Sequence, residues 1–188
     1  DGNVLMPVAT AGRVLELALL LEEAWAQRKL GSYQLIYFTA VAYSTMEFAR
    51  SHLEWMSDDV ARAFERTREN PFALKNVRMC HTLKEFAALP HGPKVVMASM
   101  DTLEAGPARE LFVHAASNPR NLILFAERPT HGSLAARLVE MSQRPLATRA
   151  PLPVELSHKV PLEGAELRAH EERLRAEAAQ AMEMEMEA

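Results

Sequence analysis

A single cysteine, Cys80, stands in 188 residues. No internal disulfide can form, and an intracellular, reducing compartment fits. No apolar run reaches the roughly 20 residues that a membrane-spanning helix needs, and no signal peptide is visible. Neither sign of charge dominates: 21 Lys and Arg stand against 25 Asp and Glu, a net charge of −4. That balance gives no reason to expect strong nonspecific binding to nucleic acid, although it leaves a local basic groove open. The seven histidines (His52, His81, His91, His114, His131, His158 and His170) form no H-x-H, H-x-x-x-H or Cys-His cluster, so local sequence writes no metal site. Cys80 falls inside a strand-like run and reads as a buried, inert thiol. Ser99 lacks the flanks of a G-x-S-x-G nucleophile elbow, and there are no internal repeats.

What is present is organised around residues 3–28, NVLMPVATAGRVLELALLLEEAWAQR. A strand-length apolar run, 4–8, meets a turn of small residues and then a helix. Val14, Leu17, Ala18, Leu21 and Trp25 recur at helical spacing on one face, and Leu15, Leu19 and Leu20 widen it. Thr10 is the expected N-cap. A buried strand turning sharply into a buried helix is half of a βαβ unit. Free N–H groups at such a helix start favour anions, and Arg13 adds a charged fork. Gly12 alone does not make a G-x-G-x-x-G fingerprint, and no G-K-[ST] follows. The plainer reading of the same residues is a glycine that permits close helix–strand packing beside an arginine in a surface ion pair.

The pattern then repeats. Strands are expected at 34–39, 77–81, 95–99 and 121–127. Ser44-Thr45-Met46-Glu47 has the form of a capping box. It would open a long helix with Ala49, Leu53, Met56, Val60 and Phe64 inward, stopped by Asn70-Pro71. Thr82 to Glu85 repeats the T-x-x-E cap, a further helix surrounds 108–117, and Ser133 caps another that buries Leu134, Leu138 and Met141. Five alternations of strand and helix imply an α/β fold, with a doubly wound, mostly parallel Rossmann-like sheet over residues 1–142 and helices on both faces. Prolines 145, 151 and 153 mark a connector over 143–162, with an alternating strand at 154–160 leaving the domain. Residues 163–188 read as a charged C-terminal helix and tail, with a narrow seam of Leu167, Leu174, Ala178 and Ala181. Asp1 stands directly before a strand, and we expect a piece of a longer protein.

In an open parallel sheet, ligands gather at the carboxyl ends of the strands. Here that edge would carry residues 10–13, 39–43, 100–106 and 128–133. Its cationic or titratable members are Arg13, Arg109, Arg128 and His131, and its acids are Asp101 and Glu104. A binding cleft follows from topology, but no complete catalytic set is visible.

PVATAGRVLEL resembles the opening of the β-CASP domain, the cassette inserted into RNA-processing nucleases of the metallo-β-lactamase family. Asn70-Pro71-Phe72, VVMAS at 95–99, Gly106 with Ala108-Arg109-Glu110-Leu111-Phe112, and Gly132-Ser133-Leu134-Ala135 follow in family order. The resemblance covers nearly the whole chain. Several segments are similar to the noncatalytic branch that works in pre-mRNA cleavage and polyadenylation: the D-G-N-V-L start, Glu54-Trp55-Met56-Ser57-Asp58, and the exit Val160, Leu162-Glu163-Gly164, Glu166-Leu167. The loop SMDTLEAG, 99–106, lacks the Pro-Gly of the A-S-P-G-M form found in the nucleases.

The resemblance implies a metallo-β-lactamase half on both sides of this chain, which would hold the family's zinc ligands. This chain would then need no cofactor. It would act as a nuclear, noncatalytic nuclease-like subunit. Its partners would be the catalytic endonuclease homologue, the other cleavage and polyadenylation subunits and pre-mRNA, with no membrane. Arg13, Glu104, Arg109, Arg128 and His131 are the expected RNA or partner contacts. Two alternatives stay open: part of an active zinc-dependent β-CASP endonuclease, and an unrelated nucleotide-binding α/β domain. The lone Gly12 and the missing acidic ribose-binder after the second strand weigh against the latter.

Overall fold

Five strands form one sheet in the computed structural model, which describes residues 2–156 and 161–186. They are β1 (Val4–Val8), β2 (Gln34–Phe38), β3 (Val77–Cys80), β4 (Lys94–Ser99) and β5 (Leu122–Ile123), all parallel, in the order β3-β2-β4-β1-β5. Around them run α1 (Arg13–Arg28), α2 (Ala42–Ser51), α3 (Asp58–Thr67), α4 (Leu83–Ala87), α5 (Gly106–Ala116) and α6 (Leu134–Gln143). This is the doubly wound α/β arrangement that the strand–helix alternation implies. The chain divides into two units, the first ending at Arg149 and the second beginning at Ala150.

The period of two along each strand builds two cores. Met6, Val8, Leu35, Tyr37, Val77 and Met97 share one face with Val14, Ala18 and Trp25 of α1 and with Met46 and Ala49 of α2. The opposite residues, Leu5, Ile36, Phe38, Val96 and Ala98, are equally buried, and Phe38 stacks on Phe86 of α4 with ring centroids 5.5 Å apart. α5 packs against β1 and β4. Burial on both faces is why these strands read as continuous apolar runs. Each large side chain so buried contributes about 1.5–3 kcal/mol before conformational entropy is set against it.

The start of β1 is held by a side-chain staple. The Asn3 side-chain oxygen accepts from Lys94 N at 3.0 Å, and the Asn3 N–H donates to Asn121 Oδ1 at 2.8 Å. Gly2 precedes it because a Cβ there would stand 1.9 Å from the Arg120 carbonyl oxygen. Residues 2, 3 and 121 thereby set the register of three strands.

Four local expectations fail. Thr10 does not cap α1: the N-cap is Gly12, at φ 72°, with no side-chain bond. Leu20 is 62% exposed, so α1 buries a narrower face than its leucines suggest. The long second helix is broken into α2, a 3₁₀ turn at Leu53–Trp55, and α3. Ser51 Oγ donates to the Glu47 and Phe48 carbonyls, and His52 Nδ1 lies 2.9 Å from the Phe48 carbonyl, so side chains compete with the helix for its acceptors. Ser57, with Asp58 and Asp59 in the next turn, then starts α3. The expected box at Ser44 is not formed, because α2 already begins at Ala42 and Glu47 pairs with Arg50. The inward stripe nonetheless survives the break: Ala49 and Leu53 are buried, and Met56, Val60 and Phe64 pack on the same core.

The fifth strand is also shorter than the run 121–127. After Leu124 N donates to the Leu5 carbonyl at 2.8 Å, no further ladder forms along β1. An apolar run marks extended chain, but the partner's register decides how much of it pairs.

In the second unit, residues 154–156 form no strand, contrary to expectation, and 157–160 lie outside the described residues. The helix α7 spans Gly164–Met186, rich in Ala, Glu and Arg. Its Leu167 and Leu174 are 40% and 50% exposed.

Candidate nucleic-acid interface

The sheet order makes a topological switch between β1 and β4. From β1 the chain leaves through α1 on one face toward β2, and from β4 through α5 on the other toward β5. The two connections leave on opposite faces there, and in open α/β sheets ligands bind beyond the carboxyl ends of the strands at such a point. The carboxyl edge carries, in spatial order, His81 after β3, residues 39–43 after β2, residues 100–106 after β4, residues 9–12 after β1 and residues 124–133 after β5. A small hollow at the β1/β5 end is lined by Pro7, Val8, Asp101 and residues 125–129.

Arg13 stands where the sequence puts it, at the first turn of α1. Its Nη1 lies 2.7 Å from Glu16 Oε2, and its Nε lies 3.9 Å from Glu127 Oε1. The hydrogen bond to Glu16, and then the charges of Glu16 and Glu127, hold its pKa above the ordinary guanidinium range. With 57% of the side chain exposed, these pairs are screened by water and leave the fork accessible. The turn beneath Arg13 is fixed by Tyr37, whose buried ring sends its hydroxyl to the Thr10 carbonyl at 2.7 Å. Burial raises the Tyr37 pKa, and a hydrogen bond with Thr45 opposes that rise. Thr10 therefore serves through its backbone rather than its hydroxyl.

Glu104 and Arg109 hold the loop after β4. Glu104 Oε1 accepts from Leu134 N at 2.6 Å, at the start of α6, where Ser133 Oγ also accepts from Ala136 N at 3.2 Å. Arg109 donates from Nη1 to the Leu103 carbonyl at 2.9 Å. Leu103 is fully buried at φ 60°, so Arg109 braces a tight, left-handed turn. Arg128 and His131 are exposed and form no hydrogen bond or ion pair among the described residues. The five candidates thus divide. Arg13, Arg128 and His131 offer positive or titratable groups at the β1/β5 end, while Glu104 and Arg109 tie α5, α6 and their loop together.

Sequence reasoning missed a second group on the same edge. His81 Nδ1 lies 2.9 Å from Glu85 Oε2, the oxygen that also accepts the His81 backbone N–H at 3.0 Å. Tyr43 meets the imidazole edge to face, with ring centroids 5.4 Å apart. The signal was the i,i+4 spacing of His81 and Glu85, which the cap motif at Thr82 overshadowed. Thr82 does cap α4, accepting from Glu85 N at 3.2 Å, but Glu85 reaches back one residue further than a capping box requires.

Cys80 is buried beside this group, and burial first, then the charge of Glu85, raises its pKa against a smaller opposing effect of Arg78. It is a neutral core thiol, not a nucleophile. Among the described residues no three His, Cys, Asp or Glu side chains converge as metal ligands do. The donor set of this region therefore does not fit a zinc site. No helix among the described residues is long and apolar enough to cross a membrane.

With this geometry in view, comparison with known proteins is specific. The chain is 47% identical over 171 residues to "Cleavage and polyadenylation specificity factor subunit 2" of Arabidopsis thaliana, covering 91% of this chain and 22% of that protein. It is 46% identical over 169 residues to "Probable cleavage and polyadenylation specificity factor subunit 2" of Drosophila melanogaster, covering 89% and 22%. To "Endoribonuclease YSH1" of Candida glabrata it is 34% identical over 142 residues, covering 73% and 18%. The chain thus spans about a fifth of the length of the relatives it matches. The profile described as "Beta-Casp domain" matches residues 14–138, from the first buried residue of α1 into α6, and the chain belongs to the Beta-Casp domain family.

Proposed function

We propose that this domain is part of a noncatalytic, nuclease-like subunit of the nuclear machinery that cleaves and polyadenylates pre-mRNA. It pairs with a catalytic homologue and helps to hold RNA at the carboxyl edge of its sheet. The observation that carries the reading is the 46–47% identity, over about nine-tenths of this chain, to proteins named as subunit 2 of the cleavage and polyadenylation specificity factor. Identity to the named endoribonuclease is lower and covers less of the chain. The loop after β4 points the same way, since Met100-Asp101 stand where the nuclease form has Pro-Gly.

Metal-assisted RNA hydrolysis needs fixed ligands that lower the pKa of a bound water and a cleft that sets the phosphate in line. The edge described here carries exposed cations, and phosphate contacts of that kind position RNA without cutting it. The experiment is elemental analysis of the purified full-length protein together with an RNA cleavage assay. We expect no stoichiometric zinc and no cleavage. Two bound zinc ions and cleavage abolished by a chelator would promote the active endonuclease instead.

A further inference from the structure

We propose that Tyr43 and His81 form a nucleobase-stacking site for single-stranded RNA at the β2/β3 end of the carboxyl edge. This rests on the reading that the edge holds RNA, and it assigns that edge two chemically different halves. The β1/β5 half presents Arg13, Arg128 and His131, exposed cationic or titratable groups suited to phosphates. The β2/β3 half presents ring faces. Tyr43 is 49% exposed and the His81 side chain 43%, and Val41 and Leu83, also exposed, stand beside them in sequence at the starts of α2 and α4.

Both rings are held before any ligand arrives. Glu85 takes the His81 Nδ1 proton and the backbone N–H on one carboxylate oxygen, which fixes the imidazole plane and leaves Nε2 as its remaining polar atom. Tyr43 closes on the imidazole, and its hydroxyl lies 3.4 Å from the Met79 carbonyl. Fixed rings lose little rotamer freedom when a base stacks on them. Neighbouring strands lie about 4.8 Å apart, so two to four strand spacings separate the halves by roughly 10–19 Å. A few nucleotides of an extended strand cover that span. Aromatic faces beside a cationic track are how proteins hold single strands, because every base has a π face whatever its sequence.

The test uses the full-length protein and a single-stranded RNA carrying a fluorescent aminopurine base. Affinity is followed by anisotropy across a salt series and stacking by aminopurine quenching. Tyr43→Ala and His81→Ala should each weaken binding about tenfold, with reduced quenching and an unchanged salt slope. Tyr43→Phe, which keeps the ring and drops the hydroxyl, should bind like the parent. Arg128→Ala should instead flatten the salt slope and leave quenching of bound RNA intact. If neither ring variant alters affinity or quenching while Arg128→Ala flattens the slope, the stacking site is refuted and RNA holding stands. If the parent protein binds no RNA, both readings fall. If Tyr43→Ala releases a partner subunit with RNA binding intact, the surface is a protein interface and the proposal is overturned.

Discussion

Glu22, midway along α1, binds the N–H of Val77, the first residue of β3, at 3.1 Å across 55 positions of sequence. The same carboxylate accepts from Lys75 N at 2.8 Å and from Asn76 N and Nδ2 at 2.8–3.0 Å. A run of backbone donors is therefore satisfied by one side chain, and the entry of β3 into the sheet is set by it.

Loss of that carboxylate should be costly for an otherwise ordinary helix position. Glu22→Ala is expected to destabilise the domain by about 1.5–3 kcal/mol, since charge-assisted bonds disappear and part-buried donors are left to water. Glu22→Gln keeps one acceptor oxygen and should cost less. Urea midpoints at an unchanged slope would measure both. Equal stability of all three proteins would show that the loop satisfies itself.

Arg13 should behave in the opposite way. Its ion pairs are exposed and screened by water, so Arg13→Ala should leave the melting curve of the domain unchanged. Its removal should lower the salt slope of RNA binding by about 0.7, the contribution of one phosphate contact to a single strand. Melting curves and a salt titration on the same preparation separate the two effects. An unchanged slope would make Arg13 a surface group only.

Cys80 predicts an alkaline weakness. Its folded pKa lies above the ordinary thiol range, chiefly because it is buried. As pH rises past the unfolded thiol's pKa, the unfolded chain loses a proton that the folded chain keeps. The unfolded state then binds fewer protons, so stability falls with pH until the folded thiol also ionises. Below the unfolded pKa this contribution is fully present. Stability measured across the thiol range should decline in the parent and decline less in Cys80→Ala. In the native protein the thiol should resist alkylation until denaturant is added.

For α7, exposed leucines and a narrow seam imply a helix that takes little from burial within its own unit. Deleting residues 165–188 should leave the melting temperature of the sheet domain within about a degree or two, on the scale where 1 kcal/mol shifts it by several degrees. A drop of several degrees would show that the helix supports the sheet.

Much of the fold was legible because burial writes itself into periodicity. The runs at Val4, Gln34 and Lys94 belong to the three central strands and are apolar on both faces, as buried parallel strands must be, and the strand ends fix which loops share an edge. What stayed illegible depends on competition between neighbouring groups. Ser51 and His52 look like ordinary helix residues until their side chains claim helix carbonyls. Thr10 looks like a cap until Tyr37 captures its carbonyl. In the candidate site, Arg13, Arg128 and His131 could be placed from topology alone. The bond of Glu104 to Leu134 and the pairing of Tyr43 with His81 were not legible, because each joins segments distant in sequence, and Arg109 finds the Leu103 carbonyl only because Leu103 takes a left-handed turn.

The brevity of β5 makes the sheet mechanically lopsided. β1, β2 and β4 are stitched together by five-residue registers, whereas β5 holds β1 by two residues. Force or thermal fluctuation will open the molecule from that side first, since the fewest ladder bonds resist there. The segment released would carry the hollow beside Pro7 and the loop with Arg128 and His131. Val14, Tyr37 and Met97, on the other side of the seam, would stay dry. The fold thus has its weakest seam along β1 and β5, so that end yields first while the rest of the sheet stays rigid.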